Sequence, residues 1–149
     1  MERTVETLEQ ELKSEHGLYL RALADFENYR RRIEREREHF GKEVLRQFML
    51  SLLDVVDDVE RILNFVGNDS SPLVEGIRAV HRKLMQLLQK EGVRPIEAVG
   101  QPFDPALHEV VSTVPADGDH PTGTIVEEVR RGYVWNGDLL RSAQVVVAV

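Results

Sequence analysis

Apolar or aromatic residues recur at every seventh position from the N-terminus: Val5, Leu12, Tyr19, Phe26, Ile33 and Phe40. Half of the matching second positions are also small or apolar, at Leu8, Ala22 and Tyr29, and no proline interrupts the run. A seven-residue period with so narrow a stripe predicts the seam of a left-handed coiled coil. One helix cannot bury that seam alone, so a partner helix is required. The second seam position decays to Glu36 and Glu43, which weakens pairing towards the end of the stretch.

The stripe then widens. Val44, Leu45, Phe48, Met49, Leu52, Leu53, Val55, Val56, Val59, Ile62, Leu63 and Val66 cover a broad face, which asks for two or three neighbours rather than one. The pattern predicts one unbroken helix from about Thr4 to Val66, roughly 90 Å long at 1.5 Å per residue. Gly67-Asn68-Asp69-Ser70-Ser71-Pro72 reads as a turn, with Ser71 as cap and Pro72 at the first helical position. A second helix follows, with Leu73, Ile77, Val80, Leu84, Leu87 and Leu88 on one face and Gly92 as its stop. Two helices alone leave much of both stripes wet, whereas two hairpins side by side make a four-helix bundle. A homodimer is therefore expected, with Val5, Leu12, Tyr19, Phe26, Ile33, Phe40, Phe48, Leu52 and Val59 at its interface.

After Gly92 the period changes. Val93–Ile96, Glu109–Val114, Thr124–Arg130, Gly132–Trp135 and Ala143–Val149 are short, rich in β-branched residues and separated by Pro, Gly and Asp. Asn136-Gly137 signals a type I′ hairpin. The reading is an α+β chain in three parts: a long coiled-coil helix over residues 1–43, a helical hairpin of a dimeric four-helix bundle over 44–92, and a small all-β domain over 93–149. A core that small is expected to dock on the bundle.

Charge narrows the function. The net charge is −7, and lysines and arginines against acids number 11 to 15 up to Val66, 4 to 3 from Gly67 to Gly92, and 4 to 8 beyond. No segment is strongly basic, which argues against a general nucleic-acid binder. The chain has no cysteine, hence no disulfide, thiolate zinc site or cysteine nucleophile. No apolar run approaches the ~20 residues of a membrane span, and the first residues lack a secretion-signal core, so a cytosolic location is expected.

Chemistry is sparse. The five histidines, His16, His39, His81, His108 and His120, are dispersed without metal-ligand spacing. Asp54, Asp57 and Asp58 share one helix side, and the reading is a solvated face rather than a metal or catalytic site. Phosphate-cradling glycine loops and nucleophile elbows are missing from the sequence, so neither an enzyme nor a resident cofactor or metal is expected. The richest polar run is Asn28 to Arg37. A DNA-contacting basic region is one reading, but the seam persists through Phe26, Ile33 and Phe40, and Glu34, Glu36 and Glu38 can pair with the arginines. A salt-bridged coiled-coil surface fits better. With Phe26 at heptad position a, Arg30 and Arg32 flank the seam and Arg31 points away from it, within reach of a third protein.

Pro102-Phe103-Asp104-Pro105-Ala106-Leu107-His108-Glu109, then Gly132-Tyr133-Val134-Trp135-Asn136-Gly137, then Arg141-Ser142-Ala143-Gln144-Val145-Val146-Val147 follow one another in the order seen in the GrpE family, the nucleotide exchange factors of DnaK-type chaperones. Ala24-Asp25-Phe26-Glu27-Asn28-Tyr29-Arg30-Arg31-Arg32 resembles that family's long-helix motif, and Val74-Glu75-Gly76-Ile77 its second bundle helix. The resemblance covers about Ala22 to Val149. It implies a parallel homodimer whose long helices, bundle and one β wing grip the ATPase domain of a DnaK-type chaperone, tilt one lobe and open the nucleotide cleft. Carried over by position, it points to Arg30, Arg31, His39, Arg61, Gly76 and Val147 as partner contacts. Asp138 stands where relatives present a basic side chain, so that contact is changed or absent here. Relatives begin with a polar, acidic tail, of which this chain carries little. The resemblance implies no direct nucleotide binding and no membrane contact. Heating is expected to loosen the weak helical pairing reversibly and lower exchange. A coiled-coil scaffold is the alternative, and a DNA-binding dimer using Arg30–Arg37 a more distant one.

Overall fold

The computed structural model describes residues 4–149, with Val5 the first helical residue. Helix α1 spans Val5–Val66 and α2 spans Pro72–Lys90. The strands are β1 (Val93–Pro95), β2 (His108–Val114), β3 (Ile125–Arg130), β4 (Tyr133–Trp135), β5 (Asp138–Arg141) and β6 (Ala143–Ala148). The chain divides into two units, Met1–Leu45 and Arg46–Val149.

Within the first unit every described seam residue except Ile33 is exposed: Val5 is 70% exposed, Leu12 71%, Tyr19 61%, Phe26 58% and Phe40 70%. Local pairs order the polar face. Arg30 bridges Glu27 at 3.0 Å and Glu34 at 3.1 Å, and Arg32 lies over the Tyr29 ring. Exposed pairs at this spacing each add ~0.2–0.5 kcal/mol to a helix. They support the helix but do not cover its apolar stripe.

In the second unit α2 turns back along the last part of α1. Ser71 caps it by accepting from the Val74 amide, and Pro72 opens its first turn. Arg78 reaches from α2 to the carbonyls of Gly67 and Asp69, closing the turn. The two helical stripes split. Met49, Leu53, Val56 and Leu88 are buried with Val93, Tyr133 and Leu140 in one cluster. Phe48, Val55, Ile62, Leu73, Val80 and Leu87 stay exposed. The expected single face of α2 is thus divided, with Val74 rather than Leu73 turned inward.

The β region forms two three-stranded sheets, ordered β1-β4-β5 and β2-β6-β3. β2 runs parallel to β6, and the other pairs are antiparallel. β5 was not among the strands read from sequence. It is the second arm of the Asn136-Gly137 hairpin, whose residues take φ 50° and 88° as a type I′ turn requires. Asp138-Leu139-Leu140-Arg141 contains no β-branched residue, which hid it. The first sheet shares its core with the helices. Leu53, Val56, Leu88, Val93 and Leu140 are all under 2% exposed there, and each such burial is worth ~1.5–3 kcal/mol. The second sheet's own cluster is Ala98, Ile125, Ala143, Val145 and Val147, lighter in apolar mass. The shared cluster therefore supplies the larger part of what holds the β region in place.

Candidate partner-binding surface

The charged residues of α1 between Asp54 and Arg61 meet Val129 and Arg130 of β3, Arg131 just after it and Gln144 of β6 in an open cleft of ≈ 510 Å³. Asp57 is the centre of it. Its carboxylate accepts from both terminal nitrogens of Arg141, at 2.8 and 2.6 Å, and Arg130 stands 3.7 Å away. Arg141 is 7% exposed in its side chain, donates Nε to the Arg131 carbonyl at 2.8 Å, and lies 5.3 Å from the centre of the Tyr133 ring. Glu60 takes Arg131 and His81 Nε2, each at 3.1 Å, joining the link between β3 and β4, and α2, to α1. Asp54 faces Arg130 at 3.5 Å. The expectation of a solvated face holds at Asp54 and Asp58 and is corrected at Asp57. Asp57 is largely buried as an anchor for the sheet, whereas Asp54, facing Arg130, and Asp58, paired with Arg61 at 3.1 Å, stay exposed in surface pairs. The error has a physical source: the partner of Asp57 lies 84 residues away, where helical spacing cannot see it.

Two groups in this region carry shifted acidities. Burial pushes the Glu128 carboxyl up, with Arg131 opposing that shift. Burial pushes the Tyr133 phenol up to about 12, with the Glu60 charge adding to it. The Tyr133 hydroxyl and Glu128 Oε2 are buried without a hydrogen bond to any described residue. Among the described residues no group of three or more His, Asp or Glu is placed to hold a metal ion, and no helix is long and apolar enough to cross a membrane.

The residues singled out as partner contacts fall in several places. Arg30 is held by its two glutamates, which raise its already high pKa through the hydrogen bond and charge of Glu27 first. The Arg31 guanidinium and His39 are exposed and make no ion pair with a described residue. Arg61 is 78% exposed at the rim of the cleft, beside Val129. Gly76 is exposed, and beyond its own helical turn a Cβ there would meet no atom of a described residue within 4 Å, so packing among the described residues does not explain a glycine. Asp138 opens β5 on the surface. Val147 departs from its expected role. It is 5% exposed and packs with Ile125 and Val145, because β6 is the middle strand of its sheet. Its side chain offers nothing to a partner on this surface. Val129, on edge strand β3 and 58% exposed, is the apolar residue actually presented beside the cleft. No local feature of the sequence separated the two.

The residue runs of the β region are largely architectural. The Asp104 amide donates to His108 Nδ1 at 2.9 Å, while the Asp104 carboxylate accepts from the Ala106 amide at 3.0 Å, closing the turn before β2. Gly132 is buried where a Cβ would collide with the backbone of Ala143. Arg141 is the sheet anchor described above.

The GrpE family model matches residues 1–149. Protein GrpE of Parageobacillus thermoglucosidasius is 41% identical over 143 residues, covering 95% of this chain and 63% of that protein. Protein GrpE of Synechococcus sp. (strain JA-2-3B'a(2-13)) is 38% identical over 151 residues, covering 99% of this chain and 63% of its own length. Protein GrpE of Carboxydothermus hydrogenoformans is 41% identical over 130 residues, covering 87% of this chain and 66% of its own. The chain thus spans a little under two thirds of the length of the curated relatives it matches. A family model that fits every residue, and relatives about two-fifths identical over nearly the whole chain, lead to one assignment: the protein belongs to the GrpE family.

Proposed function

We propose that this protein is a nucleotide exchange factor and co-chaperone. It binds the ATPase domain of a DnaK-type chaperone as a parallel homodimer and promotes ADP release, without itself binding nucleotide or catalysing a reaction. The observation that carries the proposal is the family match over residues 1–149. The unpartnered apolar residues support the dimer: Phe26, Phe40, Phe48, Leu73 and Leu87 are each at least half exposed in a single chain. Burying a Phe or Leu side chain is worth ~1.5–3 kcal/mol, so this surface has much to gain from a second copy.

Exchange asks for differential binding rather than chemistry. Nucleotide favours the closed chaperone and the factor favours the open one, so each weakens the other reciprocally. A 100-fold loss of ADP affinity corresponds to about 2.7 kcal/mol of differential contact. Arg30, Arg31 and His39 on the long helix, Arg61 and Gly76 on the hairpin, and Asp138 with Val129 on the β region are the contacts proposed to supply it. A second, thermal role follows from the glutamates at seam positions 36 and 43. Reversible loosening of the helical pairing on heating lowers exchange and slows the chaperone cycle.

The test is release of fluorescent ADP from a DnaK-type chaperone with and without this protein. Acceleration, and its loss in Arg31→Glu without loss of the dimer, supports the reading. No acceleration and no binding leaves a coiled-coil scaffold, and salt-dependent DNA binding in its place points to the arginine run as a nucleic-acid contact. A circular-dichroism melt in which helix and sheet signals are lost together, irreversibly, would argue against the thermal role.

A further inference from the structure

Besides the looser pairs of Arg130 with Asp54 and Asp57, at 3.5 and 3.7 Å, three polar ties cross from the helices to the β region of the Arg46–Val149 unit. Arg141 grips the Asp57 carboxylate with both terminal nitrogens while its Nε holds the Arg131 carbonyl. Arg131 holds Glu60, which also takes His81 of α2. Arg46 donates to the carbonyls of Leu139 and Leu140 on β5, at 3.1 and 3.2 Å. The apolar cluster beneath them resists separation, but hydrophobic contact is non-directional and resists sliding or rotation poorly. A two-pronged arginine–carboxylate bond fixes orientation as well as distance. The junction is therefore built for angular stiffness beyond what attachment needs.

We propose that Arg141 and Asp57 form a strut that holds the β region at a fixed angle to the helical hairpin, and that this stiffness converts binding into cleft opening. The inference rests on the exchange-factor reading and names positioning residues for it. A factor that touches its chaperone through both the hairpin and the β region favours the open state only while the two stay in a fixed relation. With a yielding junction, the same contacts form on the closed state as well. A ligand that binds both states equally shifts neither, however tightly it binds. Loosening the strut thus uncouples affinity from exchange.

The experiment uses the full chain and a DnaK-type chaperone loaded with fluorescent ADP. The ADP release rate is followed against exchange-factor concentration to a plateau. Asp57→Asn removes the charge and keeps one acceptor. Arg141→Lys keeps the charge but cannot bridge both carboxylate oxygens. For each, the plateau rate is expected to fall about tenfold, while the half-saturating concentration moves less than about threefold. Trp135, the only tryptophan and packed on the shared cluster, reports by near-ultraviolet dichroism that the fold persists. A purely structural role gives the opposite split. Unfolded molecules raise the half-saturating concentration and leave the plateau untouched, and that result overturns the strut. An unchanged plateau in both variants overturns it too. Glu60→Gln cuts the second tie more mildly and covers the case in which Asp57→Asn does not fold. A smaller fall in plateau is expected there, and none would count against the proposal. Failure of the unaltered protein to accelerate release is a separate outcome that removes the exchange reading itself.

Discussion

Replacing Gly132 by alanine isolates the claim that the glycine-aromatic run of the β region is architecture rather than contact surface. The Cβ would run into the backbone nitrogen and Cα of Ala143, and both lie under 3.0 Å from it, too close for any real contact. Neither atom can swing aside, because both belong to the first residue of β6, the central strand of its sheet. Gly132 is also fixed on its own side, since its carbonyl accepts from the Ile96 amide at 2.9 Å. Relief requires moving β6 against the chain between β3 and β4 by several tenths of an ångström. Overpacking of this kind costs ~1–3 kcal/mol, and backbone atoms place the cost towards the upper end. At ~2–4 °C per kcal/mol for a chain of about 150 residues, the variant should melt ~5–10 °C lower. Trp135 fluorescence follows the transition, because that residue packs on the shared cluster. Below its own transition, Gly132→Ala should still reach the unaltered plateau of ADP release. A melting point within about 2 °C of the parent would refute the packing argument. Normal stability with lost exchange would make the glycine a contact after all.

Gly76→Ala provides the opposite case. Beyond its own helical turn, no described residue lies within 4 Å of the added methyl, so a mid-helix glycine replaced by alanine should gain ~0.5–1 kcal/mol, read as a higher melting point. A lower melting point would mean that a second copy packs against that position. Tyr133→Phe removes a buried hydroxyl with no partner among the described residues, so near neutral pH its stability should stay within about 1 kcal/mol of the parent. The phenol's pKa is raised from 10.0 to about 12 by folding. Its stabilising share is therefore whole below pH 10 and lost as pH rises through about 12, and the parent should lose stability relative to Tyr133→Phe across that window. Parallel pH profiles for the two proteins would contradict the assignment. Phe48, 64% exposed in one chain, should become buried on pairing. Phe48→Glu forfeits ~1.5–3 kcal/mol per copy and should raise the dimer dissociation constant at least ~100-fold, measured by sedimentation velocity over a dilution series.

Legibility followed the range of the interaction. The helices announce themselves locally: the capping Ser71, Pro72 after it, and the periodic apolar positions are all within a few turns of one another. The Asn136-Gly137 turn was equally plain, yet its second arm at Asp138–Arg141 was not, because leucines and charges carry no strand preference until a neighbour pairs with them. Long-range pairing was invisible. Asp57 and Arg141 each look like solvated charges, and only the fold shows that they neutralise one another. Val147 sits on a strand that would read as exposed if it lay at an edge, but the parallel crossover places it centrally between β2 and β3. That crossover depends on the loops from Pro95 to His108 and from Val114 to Ile125, whose path no periodicity encodes. The same limit explains why Val129, rather than Val147, emerged beside Arg61 only with the structure.

Whether two copies pair is decided most directly by sedimentation equilibrium of the unaltered chain at micromolar concentration. Pairing predicts a single species of twice the 17.0 kDa chain mass, persisting at low temperature and dissociating as the helical signal falls on heating. A folded species at the mass of one chain across the concentration range would contradict it.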